Sequence, residues 1–258
     1  ASVAFSPGAS ILATGSHDGT VKLWDLASHA VITTLPNDNA VWCVAFSPDG
    51  RLLAVGGDSG AIRLWNVSNP GSPASIANLR GHSGAARSVA FSSDGLVIVS
   101  GGWDRTVRTW ERPPGRAFAP SVVHRGHEFP VWSVAVSPFG ELVASGSADA
   151  TVRAWFPAAP GQLAELIGHA GTVRSVAFSP DGELLVSAGD DGAVTLWPSP
   201  VLTLNLPPTI SVSTSSLTVA EGASATLTVS AVDPDGDPLV FAAESLPANA
   251  TLDPVTGR

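Results

Sequence analysis

Three times along this chain a histidine, a serine and an aspartate recur at the same offsets: His82, Ser100 and Asp104; His127, Ser145 and Asp149; His169, Ser187 and Asp191. These are the residue types of nucleophilic hydrolysis, in which an oriented imidazole takes the proton of a hydroxyl. Recurrence argues against that chemistry. An enzyme needs one pocket, whereas each set here is followed, six residues after its aspartate, by Trp110, Trp155 or Trp197. A set that repeats with its own tryptophan belongs to the scaffold. Outside these sets, His29 and His124 have no counterparts in other units, and both fall in or near stretches that read as outer strands. The single cysteine, Cys43, can form neither an internal disulfide nor a cysteine metal cage, and reads as a small buried strand residue.

The elements that position these residues follow from a repeat with a fixed ruler. A short run recurs five times, as Ser2-Val3-Ala4-Phe5-Ser6, Cys43-Val44-Ala45-Phe46-Ser47, Ser88-Val89-Ala90-Phe91-Ser92, Ser133-Val134-Ala135-Val136-Ser137 and Ser175-Val176-Ala177-Phe178-Ser179. From each central valine the next repeat mark, Trp24, Trp65, Trp110, Trp155 or Trp197, lies 21 residues on, while the intervals between those tryptophans are 41, 45, 45 and 42. All variation in length therefore falls after the tryptophan. Within the constant span, alternating apolar runs are separated by Ser47-Pro48-Asp49-Gly50 and Ser179-Pro180-Asp181-Gly182, then by Asp18-Gly19 and Asp191-Gly192. Such turns predict three antiparallel strands per unit, and residues 30–35, 74–79, 121–124 and 163–167 supply a fourth. Four short strands per unit of this length describe a propeller blade.

Residues 1–206 resemble the WD-repeat family. The resemblance rests on the Gly81-His82, Gly126-His127 and Gly168-His169 pairs, the turn aspartates, and Trp24-Asp25 closing the third strand. Other units vary that ending to Trp65-Asn66, Trp110-Glu111, Trp155-Phe156 and Trp197-Pro198. The resemblance implies an all-β fold with a partial β-propeller of five four-stranded blades. It also implies that each His-Ser-Asp-Trp quartet is a polar network inside its blade, with Thr14, Asp18 and Trp24 as a shorter version in the first unit. The second unit departs: Pro36-Asn37 stands for Gly-His, Val55 for the hydroxyl residue and Ser59 for the aspartate, so that blade should be the least rigid. Rings of this family usually have seven blades, so further units are expected upstream, and open blade edges would favour aggregation.

Matched positions also mark a surface. Two residues before each central valine stand Trp42, Arg87, Trp132 and Arg174; just before each turn aspartate position stand His17, Asp58, Trp103, Ala148 and Asp190. A bulge at the start of the first strand would turn the former group outward. Trp42, Arg87, Trp132 and Arg174, with Trp103 and His17, would then share one rim suited to a protein or peptide partner, since aromatic and arginine anchors dominate interface hot spots. Burial of Trp42 and Trp132 between blades is the competing reading.

After Pro207-Pro208 the tryptophan ruler stops, and strand-like alternation in a Ser, Thr and Val background resembles bacterial cadherin-like and immunoglobulin-like repeats. Residues 207–258 would supply about half of a β-sandwich, which needs ~100 residues. Asp233, Asp235 and Asp237 with Glu221 offer carboxylates to calcium, against the plainer reading of a solvated acidic turn. No other cofactor is implied.

Composition narrows the function. With 258 residues and 44% hydrophobic content the chain can bury a core, and 13 basic against 22 acidic residues, net −9 and without a basic block, disfavour phosphate-backbone binding to nucleic acid. No run is long and apolar enough to span a membrane. The expectation is a non-catalytic interaction scaffold with a C-terminal adhesive or spacer module, secreted or at a bacterial cell surface. The alternatives are a propeller enzyme with a channel active site and a cytoplasmic WD-repeat signalling module. Oligomeric state is not legible.

Overall fold

The computed structural model describes residues 1–199, 209–212 and 229–232, and the chain divides into two units, Ala1–Pro200 and Val201–Arg258. The first unit is built of short antiparallel meanders. Sheet one holds β1 (Ser2–Phe5), β2 (Ile11–Gly15), β3 (Thr20–Asp25) and β4 (Ala30–Pro36) in that order. Sheet two holds β5 (Val41–Phe46), β6 (Leu52–Gly57), β7 (Ile62–Asn66) and β8 (Ala74–Leu79). Sheet three holds β9 (Ala86–Phe91), β10 (Val97–Gly102), β11 (Val107–Glu111) and β12 (Ala119–His124). Sheet four holds β13 (Val131–Val136), β14 (Val143–Ser147), β15 (Thr151–Trp155) and β16 (Gln162–Ile167). The fifth has β17 (Val173–Phe178), β18 (Leu184–Gly189) and β19 (Val194–Pro198). The expected count of four strands is thus met in four sheets; in the fifth, three are seen among the described residues, and a fourth would fall after Ser199, outside them.

Local chemistry explains the meander. In the Ser47-Pro48-Asp49-Gly50 turn, the Ser47 hydroxyl accepts the Leu52 amide at 2.9 Å and donates to Asp49, whose carboxylate accepts the Arg51 amide at 3.0 Å. Gly50 takes φ +69°, a left-handed conformation that glycine enters without a Cβ penalty. The same serine and aspartate bonding recurs at Ser92 with Asp94 and at Ser179 with Asp181.

The first strands β1, β5, β9, β13 and β17 neighbour one another in chain order, so the sheets radiate side by side and each buries a face against the next. Ala13, Val21, Leu23 and Leu35 of sheet one, for example, close on Val41, Val44, Leu53 and Trp65 of sheet two. Close approach requires glycine on the second strand: a Cβ on Gly15 would lie 2.5 Å from Val41 Cγ1, and one on Gly101 2.5 Å from Val131 Cγ1. Polar clamps join the sheets as well. The hydroxyls of Ser2, Ser88 and Ser133 accept the amides of Val44, Val134 and Val176 in the following sheet at 3.2, 3.0 and 3.1 Å.

The two end sheets keep a face uncovered. Val3 is 67% exposed where the matched Val44 is 6%, and Val194 is 66% exposed where Val107 and Val152 are 0%. Phe5 and Leu196 are exposed beside them.

In the second unit, β20 (Thr209–Val212) pairs antiparallel with β21 (Val229–Val232), Thr209 opposite Val232. The rest of the half-sandwich expected over 207–258 lies outside the described residues. Among the described residues no helix is long and apolar enough to cross a membrane.

Candidate functional site

The three repeated quartets assemble inside sheets three, four and five. His82 Nδ1 lies 2.8 Å from Asp104 and Nε2 lies 2.8 Å from Ser100 Oγ, which accepts the Trp110 indole N–H at 3.0 Å. His127 with Asp149 and Ser145 repeats both distances, with Trp155 at 2.9 Å; His169, Asp191, Ser187 and Trp197 form the third copy. One protonation pattern satisfies every member: the indole donates to the hydroxyl, the hydroxyl to Nε2, and Nδ1–H to the carboxylate. Each serine donates to the imidazole and accepts the indole N–H, and all three are buried, Ser100 at 0% exposure, so the hydroxyls lie out of contact with solvent.

Each aspartate is a junction. Burial alone would raise the Asp104 carboxyl, but hydrogen bonding and charge from His82, with Thr106 and the Ser83 amide, hold it well below the usual carboxylate range. Asp149 behaves alike through His127 and Thr151. Asp191 is drawn down to about 2, by the Ala193 and Ala170 amides ahead of His169. In sheet one Trp24 donates to Thr14 at 2.9 Å and Asp18 binds Thr20. Sheet two has no such network: Asn37 turns to the Asn39 carbonyl, and the buried Val55 occupies the hydroxyl position.

At the same end of these strands, beside the turns that carry the quartet aspartates, lies the rim. Register shifts occur between Val41 and Cys43, between Gly101 and Gly102 opposite Arg87, between Val131 and Ser133, and between Val173 and Ser175. Each is a bulge at the residue two before the central valine, and each leaves that residue outside the regular pairing. Trp42, Arg87 and Trp132 are half-buried and Arg174 is exposed. The residue sixteen further on is held beside each by a backbone bond: the amides of Asp58, Trp103, Ala148 and Asp190 donate to the carbonyls of Ala40, Ala85, Pro130 and Thr172.

These pairs join across sheets into a stack. His17 lies with its ring centroid 4.2 Å from Trp42. The Arg87 guanidinium sits 3.6 Å from the Trp42 ring, 4.7 Å from Trp103 and 4.9 Å from Trp132. Arg174 covers Trp132 at 4.3 Å and grips Asp190 through two bonds of 2.8 and 2.6 Å, while the Trp42 indole donates to Asp58. All six residues expected on one rim are therefore in one contiguous cluster, and Trp42 and Trp132, half-buried, each lie against side chains of the sheets on both sides, so the rim and inter-blade readings meet in these two residues. Trp103 remains 50% exposed.

Several roles escaped the sequence. The serine before the central valine is a clamp between sheets, signalled only by its presence in four of five copies. Cys43 takes that place in sheet two; its thiol faces the Ala86 carbonyl at 3.7 Å, and burial pushes it up to about 12. His124 is 1% exposed with both ring nitrogens unpaired, at the position that Leu35 and Leu79 fill in other sheets, and burial lowers it to about 4. His29 lies exposed in a turn at φ +58°. Asp233, Asp235, Asp237 and Glu221 lie outside the described residues.

A comparison with curated proteins finds no match to this chain. The family of WD domain, G-beta repeats matches residues 1–25, 30–66, 73–111, 119–155 and 161–198, the five units in which the ruler and the radiating sheets coincide, three of them with a complete quartet. The chain belongs to the WD-repeat family.

Proposed function

We propose that this chain is a non-catalytic scaffold that holds a protein or peptide partner on the Trp42, Arg87, Trp103, Trp132 and Arg174 rim. WD repeats generally mediate protein–protein interaction, and the observation that carries the reading is the rim stack itself. It concentrates three indoles and two guanidiniums, the side chains that most often anchor interfaces, four of them at bulges outside the regular pairing and Trp103 in the adjoining turn. Indole and guanidinium faces bury large apolar area while keeping polar edges for hydrogen bonds, and they are already ordered before a partner arrives.

The test is a selection of displayed peptides against the whole chain, followed by the same peptides on a Trp132→Ala/Arg174→Ala variant. Selected peptides should lose at least ~tenfold in affinity on the variant, the scale of losing one hot spot. Peptides that bind both proteins equally would place the partner surface elsewhere. For residues 207–258 the proposal is a spacer or adhesive module, supported by the sequence resemblance alone; calorimetry with calcium on a complete domain tests its acidic turn.

A further inference from the structure

The rim has a recurrent internal pairing that fails in one place. Where position two before the central valine carries a donor, the residue sixteen later answers it in two sheets: Asp58 accepts the Trp42 indole, and Asp190 accepts the Arg174 guanidinium. In the two sheets between them the answering residues are Trp103 and Ala148, which carry no acceptor. The deficit shows in the atoms. Trp132 Nε1 and Arg87 Nε are shielded from solvent and have no hydrogen-bond partner, and Arg87 has no ion pair within contact distance among the described residues, the charge of Asp58 acting on it only from further off. Its guanidinium is fixed by three indole faces and its terminal nitrogens are left open.

Resting on the rim reading above, we propose that the space over Arg87 and Ala148 is a carboxylate subsite, which takes one aspartate or glutamate side chain from an extended and otherwise apolar partner segment. A carboxylate there meets the open terminal nitrogens of Arg87, giving it between molecules the kind of partner that Asp190 gives Arg174 within the chain, and its two oxygens match that end of the guanidinium fork. Charge limits the ligand to a single acid. Asp58 and Asp190 flank the subsite and the chain carries a net −9, so a phosphate dianion or an acidic run meets repulsion that one carboxylate, compensated by Arg87, escapes. The neighbouring indole surfaces, Trp103 above all, favour apolar residues on either side of that acid.

The probes are acetylated, amidated hexapeptide pools of apolar residues with one fixed position, Glu, Gln or Lys, and a fourth Gln pool with a free C-terminus, each titrated by fluorescence anisotropy against the whole chain. The Glu pool should bind about tenfold tighter than the Gln pool, the difference between a charge-assisted and a neutral hydrogen bond. Arg87→Met, which keeps a straight stem between the indoles, should erase that preference. Ala148→Asp, which supplies the acceptor within the chain, should weaken the Glu pool by a similar factor with the thermal midpoint unchanged. Equal binding of the Glu and Gln pools, or preference for Lys, overturns the subsite while the rim stands if Trp103→Ala still abolishes binding. A free-C-terminus pool that matches the Glu pool overturns the assignment to a side chain. No binding by any pool overturns both readings.

Discussion

A residue chosen for its chemistry takes its meaning from what surrounds it, and the six histidines of this chain divide on that ground. His82, His127 and His169 each have a carboxylate on one nitrogen and a hydroxyl on the other, so burial costs them little. His124 is buried with neither. Its folded form holds a proton only below about pH 4, against 6.5 for an ordinary imidazole, so between those values the unfolded chain binds a proton that the folded chain refuses. Stability therefore falls as pH drops from 6.5 to 4. The turn aspartates act in the next window down: Asp191 contributes stability above 3.8 that is lost as pH falls through about 2. His124→Leu, which copies Leu35 and Leu79, should raise stability by about 1 to 3 kcal/mol through removal of unpaired buried nitrogens. It should also flatten the slope above pH 4 while leaving the lower loss intact. Thermal melts from pH 7 to pH 3 measure both, and an unchanged slope in the variant would assign the acid sensitivity elsewhere.

At the scale of the element, the first strands of sheets three and four each carry two devices in six residues. A bulge throws one side chain onto the rim, and the next residue's hydroxyl takes the amide of the following sheet's central valine. Three of the four neighbouring sheet pairs use that clamp, Ser2 to Val44, Ser88 to Val134 and Ser133 to Val176. The exception is the pair in which Cys43 replaces serine, and the thiol bonds a carbonyl instead. Ser88→Ala leaves the Val134 amide without its acceptor between sheets and should cost about 1 to 3 kcal/mol, the penalty of an unsatisfied buried donor. Native-state hydrogen exchange should show the Val134 amide losing protection while the Val44 amide keeps it. Equal loss at both would mean that the sheets are coupled by packing alone.

For the first unit as a whole, the outcome of repetition is that the interior faces are buried between neighbouring sheets, while among the described residues both end sheets keep large apolar side chains exposed. Val194 and Leu196 are 66% and 61% exposed, and Val3 and Phe5 are 67% and 63% exposed at the other end. Apolar faces of this kind associate in water. The chain should self-associate as concentration rises in sedimentation velocity, and a Phe5→Glu/Leu196→Glu variant should stay monomeric with its thermal midpoint within a few degrees. A wild-type chain that remains monomeric across the same range would show that these faces are not adhesive.

The sequence by itself determined the elements: the ruler of 21 residues, the turn chemistry and the alternation fix which residues become strands, because these depend on spacing along the chain. It also picked out the quartets and the rim positions, since a repeat copies both the residue and its place. The tertiary structure decided what those residues meet. That Arg87 is held by three indoles from three sheets, that serine before the central valine clamps a neighbour, and that His124 lies dry at a leucine position all depend on which sheet stands beside which. The contacts of Arg87 with Trp42 and Trp132 and the serine clamps join residues more than forty positions apart, and local spacing holds no record of the distance across such a gap.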